Sequence, residues 1–174
     1  MSDINVTKRD GTREPLNLEK FHKVVMWACE DTTGVSASEV EIKSHLQFYD
    51  NIKTSEIQET LIKASADLIS ESTPNYQFVA GRLINYHLRK EVYGQFEPIK
   101  IIDHVKKIVD LGFYDKLLLE WYDEDEWRYL ESCIDHSKDD NLTYAAMEQF
   151  RRKYLVQNRS TGQIFETPQM AYML

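Results

Sequence analysis

Residues 6–30, VTKRDGTREPLNLEKFHKVVMWACE, hold the turn and the helix start from which the rest of the chain is read. Two short extended segments, Ile4 to Lys8 and Arg13 to Leu16, flank Arg9-Asp10-Gly11-Thr12. Asp-Gly between such segments signals a β-hairpin, because glycine takes up the positive φ that a tight turn needs. Pro15 lacks a backbone N–H and puts its strand at a sheet edge. Asn17 then offers a side-chain oxygen to cap a helix. Leu18, Phe21, Val24, Val25 and Ala28 recur along that helix at three- and four-residue spacing, which predicts one core-facing stripe.

Beyond Thr32-Thr33-Gly34 a second, shorter helix is predicted near Ala37 to Phe48, and Asp50 to Lys53 reads as a short connection or strand. Thr54-Ser55 opens a third helix. Ser55 with Gln58 three residues on fits a capping box, and Ile57, Leu61, Ile62, Leu68 and Ile69 line one side. Pro74 sets the start of a fourth helix carrying Tyr76, Val79, Ala80, Leu83, Ile84 and Leu88, with Gly94 as its stop. Residues 1–95 thus form one unit, bounded by GQFEP, and residues 96–174 a second, incomplete one. In the second, helices are predicted near Ile99 to Leu111 and Leu142 to Tyr154, followed by a hairpin turning at Thr161-Gly162. Thr167-Pro168 starts a last helix that is mostly apolar and ends without a polar face, so the chain reads as a fragment.

The predicted fold class is α+β, mostly helical. The composition, 42% hydrophobic and 29% charged, supports a folded core. Net charge is −8, with −4 on residues 1–97 and −4 on residues 98–174, and it disfavours nucleic acid as a partner. No apolar run is long enough to span a membrane and the N-terminus has no secretory pattern, which reads as cytoplasmic. Cys29 and Cys133 lack the spacing of a zinc or redox pair and read as small apolar fillers. The histidines, His22, His45, His87, His104 and His136, are scattered, so no metal site is expected. Asp123-Glu124-Asp125-Glu126 reads as a solvated helix start. No Gly-rich phosphate loop and no nucleophile–base pair can be argued. What remains is a basic cluster, Lys8, Arg9, Lys20, Lys53 and Arg89-Lys90, part of it on a hairpin beside a helix start. Turn amides and helix N-termini attract phosphates.

Four stretches carry a resemblance: residues 6–30 quoted above, QFYDNIKTSEIQETLIKASADLIS (47–70), PNYQFVAGRLINYHLRKEVYGQFEP (74–98) and KYLVQNRSTGQIFETPQ (153–169). In order and along essentially the whole chain they resemble the N-terminal part of the large (alpha) subunit of class I ribonucleotide reductases. The first ~95 residues resemble the ATP-cone, with V-x-K-R-D-G as its signature. The resemblance implies a four-helix ATP-cone with a small three-stranded sheet, followed by a helical segment and a β-hairpin. It implies ATP or dATP as allosteric effector, with Mg2+ accompanying the phosphates.

Carried over residue by residue, Val6, Lys8 and Arg9 match the hairpin part of the family's nucleotide site. Glu14 and Asn17 match positions near the adenine and its neighbouring groups, and Lys20 one facing the phosphates. Thr54 matches a position opening helix three, and Lys90 one ending helix four. The chain departs at Gln58, where many dATP-inhibited members carry histidine; glutamine is neutral. Implied partners are adenine nucleotides, the remainder of the large subunit, the radical-bearing small subunit and, through the parent, further copies. The family's catalytic cysteines lie beyond residue 174, so no catalytic residue is assigned. Two other readings are a free-standing ATP-cone modulator and a nucleotide-sensing transcriptional repressor. The latter would begin with a cysteine-paired zinc ribbon, which this sequence lacks.

Overall fold

The computed structural model describes residues 4–45 and 47–174. It is α+β and mostly helical, as expected, and falls into two compact units: residues 1–87 with 141–147, and residues 88–140 with 148–174.

In the first unit, β1 (Asn5–Thr7) pairs antiparallel with β2 (Arg13–Pro15), Val6 opposite Glu14. β3 (Ile52–Lys53) runs parallel to β1 on its other side, giving the order β2-β1-β3. Pro15 is therefore on an edge strand, where its missing donor is harmless. Val6, Ile52 and Ile57 form an apolar cluster under this sheet, packed by Ile4, Leu16, Phe21 and Phe48.

Four helices follow the sequence pattern: α1 (Leu18–Cys29), α2 (Ala37–His45), α3 (Thr54–Ala66) and α4 (Tyr76–Tyr93). All six stripe residues expected on α4 are buried, and Gly94 takes the left-handed conformation after it. Gly81 is required by close approach, since a Cβ there would fall on the Leu142 carbonyl oxygen.

Some expectations fail. Leu18 is 57% exposed, because it occupies the first helical turn beside the cap while Val25 and Ala28 reach the core. α2 stops at His45 and leaves Phe48 in the connection to β3, packed on the sheet cluster. The cap of α3 is not Ser55 with Gln58. Lys53 is the N-cap, and the Glu56 side chain accepts its backbone N–H at 3.2 Å. α3 ends at Ala66, so Leu68 and Ile69 lie beyond it, Ile69 38% exposed.

The second unit holds α5 (Ile101–Asp110), α6 (Leu117–Trp121), α7 (Glu124–Cys133), a 3-10 turn at His136–Asn141, and α9 (Pro168–Met173). α8 (Tyr144–Gln149) comes between them and passes into a π-helical turn, Phe150–Tyr154. The acidic run opens α7 as read: Asp123 Oδ1 accepts the Asp125 and Glu126 N–H groups, and Glu126 accepts that of Asp123. The hairpin expected at 154–166 is present and short: the bridge of Gln157 with Ile164 is flanked by the Asn158 N–H to the Gln163 carbonyl at 2.8 Å and the Phe165 N–H to the Val156 carbonyl at 2.9 Å. Two carboxyls take donors that these bonds leave over: Glu166 accepts the Val156 N–H at 2.7 Å and Glu91 that of Ile164 at 3.0 Å. Among the described residues no helix is long and apolar enough to cross a membrane.

Candidate functional site

The hairpin between β1 and β2 is held by its own backbone. Lys8 donates its N–H to the Thr12 carbonyl at 2.8 Å, and Gly11 donates to the Lys8 carbonyl at 3.0 Å. Gly11, at φ +84°, completes the reversal that only a glycine makes without strain. Asp10 Oδ1 accepts the Thr12 hydroxyl at 2.6 Å and its N–H at 2.9 Å. These bonds, the hydroxyl first, hold the Asp10 carboxyl below its ordinary pKa.

Lys8 reaches across the hairpin to Glu14, Nζ to Oε2 2.6 Å, with both side chains partly exposed. The hydrogen bond to Glu14 raises the Lys8 pKa. Arg9 is exposed at the tip, and its charge reaches Tyr86 on α4, whose own pKa is raised by burial. The chain then leaves β2 through Leu16 into α1, where Asn17 Oδ1 accepts the Lys20 N–H at 2.9 Å. Lys20 is exposed in that first turn.

β3 brings the start of α3 to the same sheet. Thr7 stands opposite Lys53, and Thr54 opens the helix directly after it. Glu56 accepts the Tyr49 hydroxyl at 2.7 Å, which is the main reason its carboxyl sits below the ordinary range. Gln58, one turn beyond Thr54, has a buried Oε1 with no hydrogen-bond partner among the described residues. A buried acceptor without a donor is costly and calls for one.

Eight of the nine inherited positions therefore lie in the first unit, on the hairpin and the two helix starts that the sheet connects. Val6 is buried and fixes the hairpin from below. Lys90 lies on the last turn of α4, among residues of the second unit. Tyr49, Glu56 and Tyr86 also belong to this surroundings and were not read from the sequence. The acid two residues after Thr54 was a legible signal; Tyr86 gave none, being off the apolar stripe. A separate concavity of about 490 Å3 in the first unit is lined by Leu18, Phe21, His22, Glu41, Ile42 and His45, none of them inherited positions.

Burial pushes the Cys29 thiol up to about 11, which keeps it unreactive, whereas Cys133 is exposed and so is not the apolar filler expected. No three His, Cys, Asp or Glu side chains among the described residues are grouped as a metal site would need.

The chain belongs to the ATP-cone family: the family model, described as ATP cone domain, matches residues 4–91. ATP-cone domains bind nucleotide effectors. Over nearly its whole length the chain is similar to the N-terminal region of ribonucleoside-diphosphate reductase alpha subunits. It is 55% identical over 172 residues to ribonucleoside-diphosphate reductase 1 subunit alpha of Escherichia coli K12, covering 99% of this chain and 23% of that protein. The alpha subunit of Haemophilus influenzae is 53% identical, over 98% of this chain and 23% of its own length. That of Enterobacteria phage T4 is 43% identical, over 99% and 23%. The chain thus spans 23% of the length of these relatives.

Proposed function

We propose that this chain is the adenine-nucleotide sensing region of a ribonucleoside-diphosphate reductase large subunit, with ATP or dATP as the allosteric effector of the enzyme's overall activity. The observation that carries the reading is one small sheet that bears a Lys-Arg hairpin tip, sets the start of α3 beside Thr7 at the tip's end of β1, and leads through β2 into the start of α1. Helix N-termini and cationic turns together favour a polyphosphate.

Lys8 is the pivot. Its ammonium is engaged by Glu14. Phosphate oxygens would compete for Lys8 and leave Glu14 free to accept the amino group of an adenine, with Asn17 beside it. Arg9 and Lys20 would face the phosphates, Thr54 would add a hydroxyl, and the unpartnered Gln58 oxygen would accept a donor from base or sugar. Phosphate oxygens deprotonated at neutral pH offer none. Lys90 would add a further cation. Mg2+ would enter on the phosphates, retaining most of its water. Reduction itself would belong to the remainder of the large subunit and a radical-bearing small subunit, and sensing would act through how those subunits and further copies assemble. Because Gln58 cannot become a cation, dATP would switch that assembly weakly.

Isothermal calorimetry of ATP and dATP binding to residues 1–174 tests the site. A charge-assisted phosphate contact is worth ~1.5–3 kcal/mol, so Lys8→Ala or Arg9→Ala should weaken binding about tenfold or more. Equal affinity of wild type and both variants would remove the hairpin from the site.

A further inference from the structure

β3 is only two residues long, yet α3 starts on the residue after it. The register of β3 on β1 therefore decides where Thr54 and Gln58 stand relative to the hairpin. Side-chain faces alternate along a strand, so a slip of one residue turns them over and displaces the helix start by ~3.3 Å. So short a strand carries few ladder bonds of its own, and its register needs other support.

That support comes from Asp50, two residues before the strand. Asp50 Oδ1 accepts the Asn5 N–H at 2.9 Å and the Asn5 side-chain amide at 3.2 Å, and Oδ2 accepts the Asn51 side-chain amide at 2.8 Å. Asn51, in the left-handed region at φ +65°, donates its N–H to the Asn5 carbonyl at 2.9 Å, and its own carbonyl accepts the Thr7 hydroxyl at 3.2 Å. The bonds to Asn5 are the main reason the Asp50 carboxyl lies below the ordinary range, and the Arg13 charge on β2 adds to them. One carboxylate thus engages β1 through Asn5, β2 through the charge of Arg13, and the lead into β3 through Asn51. Hydrogen bonds to an ionised acceptor are stronger than neutral ones.

We propose that Asp50 is a positioning residue of the nucleotide site: it fixes β3 in register on β1 and so holds Thr54 and Gln58 at the reach a bound adenine nucleotide needs. The proposal rests on the nucleotide reading above. Asp50 acts from outside the site, since both its oxygens are turned to Asn5 and Asn51 and its charge would repel a phosphate. Its effect falls on what α3 supplies, above all the Gln58 oxygen for base or sugar. The cations of the hairpin do not depend on it, because the turn is closed by bonds between Lys8, Gly11 and Thr12. ATP uses both sets of contacts, whereas inorganic tripolyphosphate has no base or sugar for Gln58.

Calorimetry of ATP and of inorganic tripolyphosphate binding to residues 1–174 separates the two sets. Asp50→Ala should weaken ATP about fivefold, in keeping with one net hydrogen bond, and tripolyphosphate less than about twofold. Asp50→Asn keeps an oxygen for Asn5 and should restore most of the ATP affinity. In a cycle with Gln58→Ala the two losses should not add, because Asp50 acts through Gln58. Should Asp50→Ala lose the circular dichroism of the fold, Asn5→Ala replaces it. That variant removes only the 3.2 Å bond and should weaken ATP about twofold with the same selectivity. Unchanged ATP affinity overturns the proposal, as do equal losses for both ligands or additive losses in the cycle. Wild type that binds neither ligand removes the nucleotide reading and this inference with it, whereas wild type that binds ATP keeps that reading whatever Asp50→Ala does.

Discussion

The two units of this chain treat charge in opposite ways. In the first, the buried polar residues are neutral, Ser44, Ser65 and Asn85, and the ionic contacts around the hairpin, Lys8 with Glu14 and Asp10 with Thr12, are open to solvent. In the second, Arg89, His104, Asp139 and Glu166 are all buried. Arg89 donates to the His136 carbonyl at 2.7 Å and lies over the Phe96 ring. Glu166 holds the Tyr114 hydroxyl and the Val156 N–H on its two oxygens. A solvated ion pair can be exchanged for a ligand at little loss, while a buried one can only be kept or broken. The first unit is therefore fit to sense an anion, and the second to hold a fixed geometry.

The sharpest test of that contrast removes Glu166. Glu166→Ala leaves the Tyr114 hydroxyl and the Val156 N–H without their acceptor in a buried setting, and opens a small cavity. Loss of a buried acceptor strands each donor at ~1–3 kcal/mol, so the second unit should lose about 3 kcal/mol of stability. Urea unfolding followed by tryptophan fluorescence in a Trp27→Phe background, where the remaining tryptophans lie in the second unit, would measure it. A loss below about 1 kcal/mol would mean that the carboxyl is replaced by water, and that the second unit is less dry than its burial implies.

Acidification should separate the units next. Burial holds His104 and His136 down at about 4, while it pushes Asp139 up to about 7. The groups facing Asp139 are Arg89 and Tyr93 from α4, Asp140 from its own turn, and Gln169 from α9. The signs oppose. A depressed histidine stabilises the fold above its unfolded value near 6.5, and that stabilisation is lost as pH falls towards 4. A raised aspartate does the reverse, favouring the fold as pH falls from 7 to 4. Between about 6.5 and 4 the unfolded chain takes up two protons on the histidines and the folded chain one on Asp139. One net proton makes unfolding easier by up to about 1.4 kcal/mol per pH unit. In the first unit the shifted carboxylates, Asp10, Asp50 and Glu56, are lowered, so their stabilisation starts to fade only as pH falls into the ordinary carboxylate range. Urea midpoints read by tryptophan in each unit from pH 7 to 5 should fall for the second and hold for the first. A parallel fall in both would erase the distinction.

Much of the first unit was legible because its signals are local. Asp10-Gly11 makes the turn, Asn17 caps α1, and the six-residue stripe of α4 repeats every turn, each enforced by neighbours in sequence. The second unit was less legible because distant side chains override local pattern there. The hairpin at 154–166 forms as read, but it is short, because Glu166 takes the Val156 N–H that would otherwise complete the pair with Phe165. The helix read across 142–154 widens into a π turn after Gln149, where the Leu155 N–H donates to the Phe150 carbonyl at 3.0 Å. Glu148 binds Arg151 and Arg152 together at the same turn. The Lys8–Glu14 pairing needed the strand register, which fixes Val6 opposite Glu14 and so puts both side chains on one side of the hairpin.

The smallest effect expected in stability is the most telling about the site. Glu14→Ala removes the partner of Lys8 at a position more than a third exposed, with a salt bridge of the kind that contributes ~0–1 kcal/mol. β2 is an edge strand and keeps its backbone pairing, so the urea midpoint should move by no more than about 0.5 kcal/mol. If Glu14 only tied up Lys8, its removal would release a cation and tighten ATP binding. If it also accepts the adenine amino group, binding of ATP should weaken while inosine triphosphate, which lacks that group, gains from the freed lysine. Opposite responses of the two nucleotides are the expected result by calorimetry. Tightening of both would reduce Glu14 to a lid on Lys8, and base recognition would then rest on Asn17 and Gln58.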